Sequence, residues 1–253
     1  RSARDGPPGA LRVPFGGSPD PKDHGRETMT SLDTTEAPVA HTGLGELAGR
    51  HRRGVQLFGG IPYAAAPVGD RRFAPPAPPE PWEGVRDARR FSPAAPQLPG
   101  EGMTDRLPVR WDEDCLYLNV ITPACDDARR PVYLWIHGGA YQHGQGAVPW
   151  YDGTSFATRG DIVVVTINYR LGALGFCDLG SHLGDAFASS GVNGTLDQVA
   201  ALRWVRDHIA EFGGDPDRVT IGGESAGAFS VSNLLVSPLA DGLFHRAIAQ
   251  SGA

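Results

Sequence analysis

The sequence predicts an α/β protein on a doubly wound, mostly parallel sheet with flanking helices, and three observations carry the prediction. Three apolar, β-branched runs end in turn residues: "LYLNVITP" (116–123), "VYLWIHG" (132–138) and "IVVVTINY" (162–169). Two of them are nearly continuous apolar stretches, as strands buried on both faces require. A helix-period stripe follows at 195–212, and strand, sharp turn and helix then alternate to the last residues.

Taken in order, the chain opens at Arg1, and residues 1–28 are rich in Pro, Gly and charge without apolar periodicity. They hold no continuous apolar core of the kind a secretory signal needs, and Met29 opens a stretch that reads as a more natural start. Residues 1–40 are therefore expected to be a disordered or non-native leader, with the folded part spanning 41–253. Short strands are expected at 44–47 and 54–58, paired as a small edge hairpin. From 61 to 100 the chain is dense in proline ("PPAPPEPW") and should run as irregular, extended coil. In "TLDQVAALRWVRDHIAEF" (195–212), Leu196, Val199, Leu202, Val205, Ile209 and Phe212 recur at spacings of three and four, a stripe facing a core. Thr195 and Gln198 can form a capping box, and Gly213-Gly214 supply the stop. A strand at 219–222, a helix at 226–236 and a last strand in "RAIAQSG" (246–252) complete the order.

At 253 residues, 40% hydrophobic and 21% charged, the composition suits one large α/β domain. The net charge of −6 and the lack of a basic run argue against a nucleic-acid partner. No stretch reaches the ~20 apolar residues needed to cross a bilayer. Cys115, Cys125 and Cys177 form neither a metal pattern nor a disulfide framework, which favours a reducing compartment, the cytoplasm.

The chemistry concentrates in "GGESAGA" (222–228). Gly223-Glu224-Ser225-Ala226-Gly227 fits the G-x-S-x-G nucleophile elbow in the context that motif needs, an apolar strand before and a helix after. Ser225 is the candidate nucleophile. Gly223 and Gly227 leave space where strand and helix approach, and Ala226 can aim its backbone N–H at a developing oxyanion. "WIHGGAYQHG" (135–144) places a His-Gly-Gly turn at the end of another apolar run, where the N–H groups of Gly139 and Ala140 can face the same carbonyl.

With these stretches in view, the sequence resembles the type-B carboxylesterase family of α/β-hydrolases, which includes cholinesterases and bacterial para-nitrobenzyl esterases. "FGGDPDRVTIGGESAG" (212–227) is similar to the family's active-serine signature and "EDCLYLNVITP" (113–123) to its second signature. "FGGIPYAAAPVGDRRFAPPAPPEPW" (58–82), "NYRLGALGF" (168–176) and "NGTLDQVAALRWV" (193–205) are similar to family segments in the same order, so the resemblance covers 44–253. It implies Ser225 as nucleophile, Gly139, Ala140 and Ala226 as oxyanion donors, Gly138 as a permissive turn residue and Glu224 as a structural carboxylate. It also implies an ion pair between Arg72 and Glu113 pinning the proline-rich segment, costly to break if largely buried, by ~3–5 kcal/mol. Where the family often has a cysteine bridged to the position of Cys115, this chain has Ala95, which fits a bacterial-like intracellular member. Family members are much longer and carry the triad acid and histidine in their second half.

The expectation is thus an N-terminal fragment of a serine carboxylesterase that acts on a small-molecule ester without metal or organic cofactor. Alone it should be inactive or weakly active, and its last strand should leave an apolar, unpaired sheet edge. Among its histidines only His143 merits testing as a makeshift base. His137 reads as a loop-holding residue, His182, His208 and His245 as surface or structural ones, and Asp197 as a structural carboxylate. Tyr141 and Phe229 are either acyl-pocket walls or core aromatics. The competing reading is a non-catalytic interaction protein on the same fold; a peptidase or lactonase using the same serine is a third. Oligomeric state is not readable from the sequence.

Overall fold

In the computed structural model, residues 36–98 and 109–252 are described. The expected leader up to residue 35, His24 included, lies outside them. Its proposed boundary at 40 does not hold, because Val39–Thr42 already forms β1 and Ala40 is buried. β1 turns back into β2 (Gly45–Ala48), with Val39 opposite Ala48. The Thr42 hydroxyl closes that turn, donating to the Gly45 carbonyl at 2.8 Å and accepting from Leu44 N–H at 3.3 Å.

The expected hairpin between 44–47 and 54–58 does not form. β3 (Arg50–Arg52) pairs instead with β4 (Val55–Pro62) through Arg53 and Gly54, whose φ values of 48° and 81° give the doubly left-handed turn that a two-residue hairpin prefers. A second turn, at Arg53-Gly54, thus gives β4 its own nearer partner. β5 (Val85–Asp87) lies parallel to β2 and completes a three-stranded sheet with β1. Apart from β5 and one 3₁₀ turn at Gly69–Arg71, the described part of the proline-rich stretch beyond β4, residues 63–98, runs as irregular chain, as expected of it.

The main sheet adds β6 (Tyr117–Thr122), β7 (Arg130–Ile136), β8 (Val163–Ile167), β9 (Gly214–Glu224) and β10 (Arg246–Gln250). Its order is β10-β9-β7-β8-β6-β4-β3. The sheet is mixed: β10, β9, β7 and β8 are mutually parallel, whereas β6, β4 and β3 join antiparallel. Every residue of β8 is buried, which is why its sequence reads as an unbroken apolar run.

Helices cover the faces: α1 (Thr154–Gly160), α2 (Gly172–Phe176), α3 (Gly180–Leu183), α4 (Asn193–His208) and α5 (Ala226–Leu235). The first three are short and carry no periodic signal. α4 starts two residues before Thr195, so the expected capping box does not form; the Gln198 amide donates instead to the Ser230 hydroxyl at 2.9 Å. The stop does form: Gly213, at φ 75°, donates to the Ala210 carbonyl at 2.9 Å.

Arg72 and Glu113 do pair, at 2.9 Å, but their side chains are 43% and 32% exposed. A pair this open contributes about 0–1 kcal/mol rather than the larger figure. The buried fastener is Arg170, whose Nε and Nη2 grip Asp197 of α4 at 2.8 and 2.7 Å while Nη1 reaches the carbonyls of Arg72 and Ala74. Arg170 and Asp197 are 2% and 0% exposed.

Candidate active site

β9 delivers Ser225 to the carboxyl end of the parallel strands, the edge at which open α/β sheets place their sites. Ser225 sits between β9 and α5 at φ 54° and ψ −122°, a region that costs a non-glycine residue of order 1–3 kcal/mol. The turn is held by backbone on both sides. Ser225 N–H donates to the Gln250 carbonyl of β10 at 2.9 Å, and the Ser225 carbonyl accepts the first bond of α5, from Phe229 at 3.0 Å. The side chain is half-buried, and its hydroxyl has no hydrogen-bond partner among the described residues.

The two flanking glycines are required by contact. A Cβ on Gly223 would overlap the carbonyl of Gly227, and one on Gly227 would overlap the carbonyl of Ile136 at the end of β7. Strand, helix and neighbouring strand therefore converge on backbone alone.

Register explains why the second candidate loop arrives here. β7 and β9 are adjacent and parallel with Ile136 opposite Gly223, so two steps further Gly138 lies level with Ser225. A Cβ on Gly138 would fall 2.6 Å from the Glu224 carbonyl and 3.2 Å from Ser225 Cβ. Gly138 thus serves by its bareness; the left-handed backbone falls on the next three residues, Gly139, Ala140 and Tyr141, at φ 110°, 53° and 59°. The N–H groups of Gly139, Ala140 and Ala226 donate no hydrogen bond among the described residues. Ala226 also opens a ten-residue helix, whose N-terminal partial charge favours an anion. Glu224 is exposed beside Gly138 and forms no ion pair among the described residues.

The loop after β7 is fastened from several sides. The Tyr169 hydroxyl donates to the His137 carbonyl at 2.8 Å, Gly172 N–H to the Tyr141 carbonyl at 2.7 Å, and Gly146 N–H to Asn168 Oδ1 at 2.8 Å. Gln97 pairs with both backbone groups of Gly144. The His137 ring stacks on Tyr169, 4.5 Å between centroids, and its Nδ1 bonds the Gly138 carbonyl at 2.8 Å. That carbonyl only accepts, so Nδ1 carries the proton and His137 holds the loop. Burial drives its pKa down to about 4, against the pull of the Gly138 carbonyl.

His143 lies on the same loop, its N–H bonded to the Gly139 carbonyl at 3.1 Å, and its ring makes no hydrogen bond to Ser225. His245 accepts from Val219 N–H and His208 packs on Trp204, both away from the serine. Tyr141 packs against Phe176 and the core, whereas Phe229 stands 47% exposed one turn into α5. Sequence reasoning missed the clamps Gln97, Asn168, Tyr169 and Arg170. Asn168, Tyr169 and Arg170 sit in a stretch whose similarity to a family was visible and Gln97 does not, but the partners of all four are set by tertiary structure. Among the described residues no group of acidic, His or Cys side chains could hold a metal ion.

The sequence matches the carboxylesterase family over residues 36–253. It is 48% identical to the para-nitrobenzyl esterase of Bacillus subtilis (strain 168), over 85% of this chain and 44% of that protein. It is 44% identical to the human cocaine esterase, over 91% of this chain and 42% of that protein. Among solved structures, a Geobacillus stearothermophilus carboxylesterase superposes with a TM-score of 0.77 at 55% identity, over 83% of this chain and 42% of the other. A para-nitrobenzyl esterase structure superposes with a TM-score of 0.81 at 47% identity, over 86% of this chain and 44% of the other. The fold is that of the α/β-hydrolases, and the chain spans less than half the length of the relatives it matches.

Proposed function

Because the chain belongs to the carboxylesterase family, we propose that the protein carrying it hydrolyses small-molecule carboxylic esters through Ser225. One observation carries the reading: a serine held at φ 54° beside three unengaged backbone N–H groups. Ser225 Oγ attacks the acyl carbon as its proton passes to a base. The carbonyl oxygen gains the negative charge and accepts from the N–H groups of Gly139, Ala140 and Ala226. Donors fixed in a folded backbone need little reorganisation as the charge forms. Collapse expels the alcohol and leaves an acyl-serine, which water attacks in the same geometry to release the acid. Glu224 steadies the turn beside Gly138 rather than relaying protons.

The base and its orienting acid are not supplied by the described residues, since no histidine among them bonds Ser225. The 253 residues alone are therefore proposed to be a weak catalyst, slower by ~10⁴-fold or more than the protein with a complete triad. The free thiols of Cys115, Cys125 and Cys177 support a cytoplasmic location. Among the described residues no helix is long and apolar enough to cross a membrane.

The test uses the longer protein that contains this chain, with para-nitrophenyl acetate and a fluorophosphonate probe. Turnover and labelling that vanish together in Ser225→Ala are expected. Labelling retained in Ser225→Ala would remove Ser225 from the reaction, and absence of both from the unaltered protein would favour a binding role. Esterase rates from residues 1–253 alone would overturn the weak-catalyst reading.

A further inference from the structure

We propose that Gln97 is a positioning residue for the oxyanion loop, acting through Gly144; the proposal rests on the ester-hydrolysis reading above. Gln97 Nε2 donates to the Gly144 carbonyl at 2.9 Å, and its Oε1 accepts from Gly144 N–H at 2.8 Å. The side-chain amide thus pairs with one residue's backbone as a neighbouring strand would. Nε2 also donates to the Ala95 carbonyl at 3.0 Å, which fixes the rotamer. Its own segment is anchored in turn, because Asn168 Nδ2 donates to the Pro93 carbonyl at 3.0 Å and Ala95 is buried.

The consequence reaches the oxyanion donors through one peptide unit. Gly144, at φ 115°, lies so close to the start of the loop that a Cβ on it would overlap His137 Nδ1 and fall 2.7 Å from the Gly138 carbonyl oxygen. That carbonyl and the Gly139 N–H belong to the same planar trans peptide, so they point in opposite directions. Holding Gly144 against the Gly138 oxygen on one side therefore fixes where the Gly139 N–H points on the other. The remaining clamps on the loop come from Asn168, Tyr169 and Gly172; Gln97 grips it from the proline-rich segment. Glutamate could not donate to Gly144, and asparagine is one methylene too short for the same span.

The experiment compares Gln97→Ala and Gln97→Met with the unaltered full-length protein. It measures kcat and KM on para-nitrophenyl acetate, inhibition by a trifluoromethyl ketone that adds to the serine as a tetrahedral oxyanion, and Tm. Both variants are expected to lose about 10–100-fold in kcat, with KM within about twofold and ketone affinity weakened in step with kcat. Methionine keeps the bulk and loses the bonds, so wild-type kcat in Gln97→Met would reduce Gln97 to packing and overturn the proposal. Equal loss of KM and ketone affinity would overturn it too, as would failure of both variants to fold, which makes the residue merely structural. If the unaltered full-length protein shows no turnover, the ester reading itself falls and this inference with it.

Discussion

His137 shows how one residue's surroundings set both its job and a pH limit. Its ring is enclosed between Tyr169 and the loop it supports, with Nδ1–H committed to the Gly138 carbonyl and Nε2 buried without a partner among the described residues. A proton on Nε2 would place an uncompensated charge inside the fold, so burial lowers the pKa to about 4, opposed by the Gly138 bond and helped slightly by His143. In the unfolded chain the ring titrates near its ordinary value of about 6.5. The unfolded state therefore binds more protons between those values. Stability from this group is complete above about pH 6.5, is lost as pH falls toward about 4, and levels off below that, for roughly 3 kcal/mol in all. His137→Asn keeps a donor near the Nδ1 position and cannot titrate. Urea unfolding from pH 7 to about pH 4.5 should show a flatter pH slope for this variant than for the parent; equal slopes would refute the assignment. Sequence made the holding role of His137 legible, since it sits on the turn that closes a strand. It could not show Gln97 or Tyr169 as partners, because neither bond has a signature along the chain.

At the scale of elements, the apolar runs and the 195–212 stripe mark β6, β7, β8 and α4 to within a few residues, because burial on both faces or one leaves a periodic imprint. The failures are ones of pairing. Residues 44–47 read correctly as a strand but not its partner, since Thr42–Gly45 closes a nearer hairpin. The Arg72–Glu113 contact forms where expected, yet the segment's buried anchor is Arg170, whose side chain makes four hydrogen bonds, to Asp197 and to the carbonyls of Arg72 and Ala74. The Arg170 backbone N–H also donates to Asp197 Oδ2 at 3.0 Å, so the backbone just beyond β8 and the side chain are tied to the same carboxylate. Arg170→Ala strands Asp197 inside α4 and should cost about 3–5 kcal/mol in urea unfolding, whereas Arg72→Ala should cost about 1 kcal/mol or less. Similar losses for the two variants would mean that burial is not what separates these pairs.

At the scale of the molecule, strand order is what the chain hides best, because β10-β9-β7-β8 is assembled from residues far apart in sequence. The end of that order has a physical consequence. β10 bonds β9 on one side and stands at the sheet's border on the other, with all five of its residues exposed. Next to it α5 and the turn beyond show Phe229, Leu235, Val236 and Leu239 at 47%, 57%, 82% and 50% exposure, and Ile248 of β10 is 45% exposed. An open strand beside apolar side chains is a template for pairing with a second chain, and among the described residues no proline interrupts β10. The 253-residue chain, purified alone, should therefore self-associate through this border. Ile248→Lys puts a charge on the edge, where desolvating an ammonium opposes pairing. It should raise the concentration at which association begins by roughly tenfold, about 1.4 kcal/mol, in sedimentation velocity. If Ile248→Lys associates as readily as the parent chain, or the parent stays monomeric throughout, β10 is not the sticky edge its geometry describes.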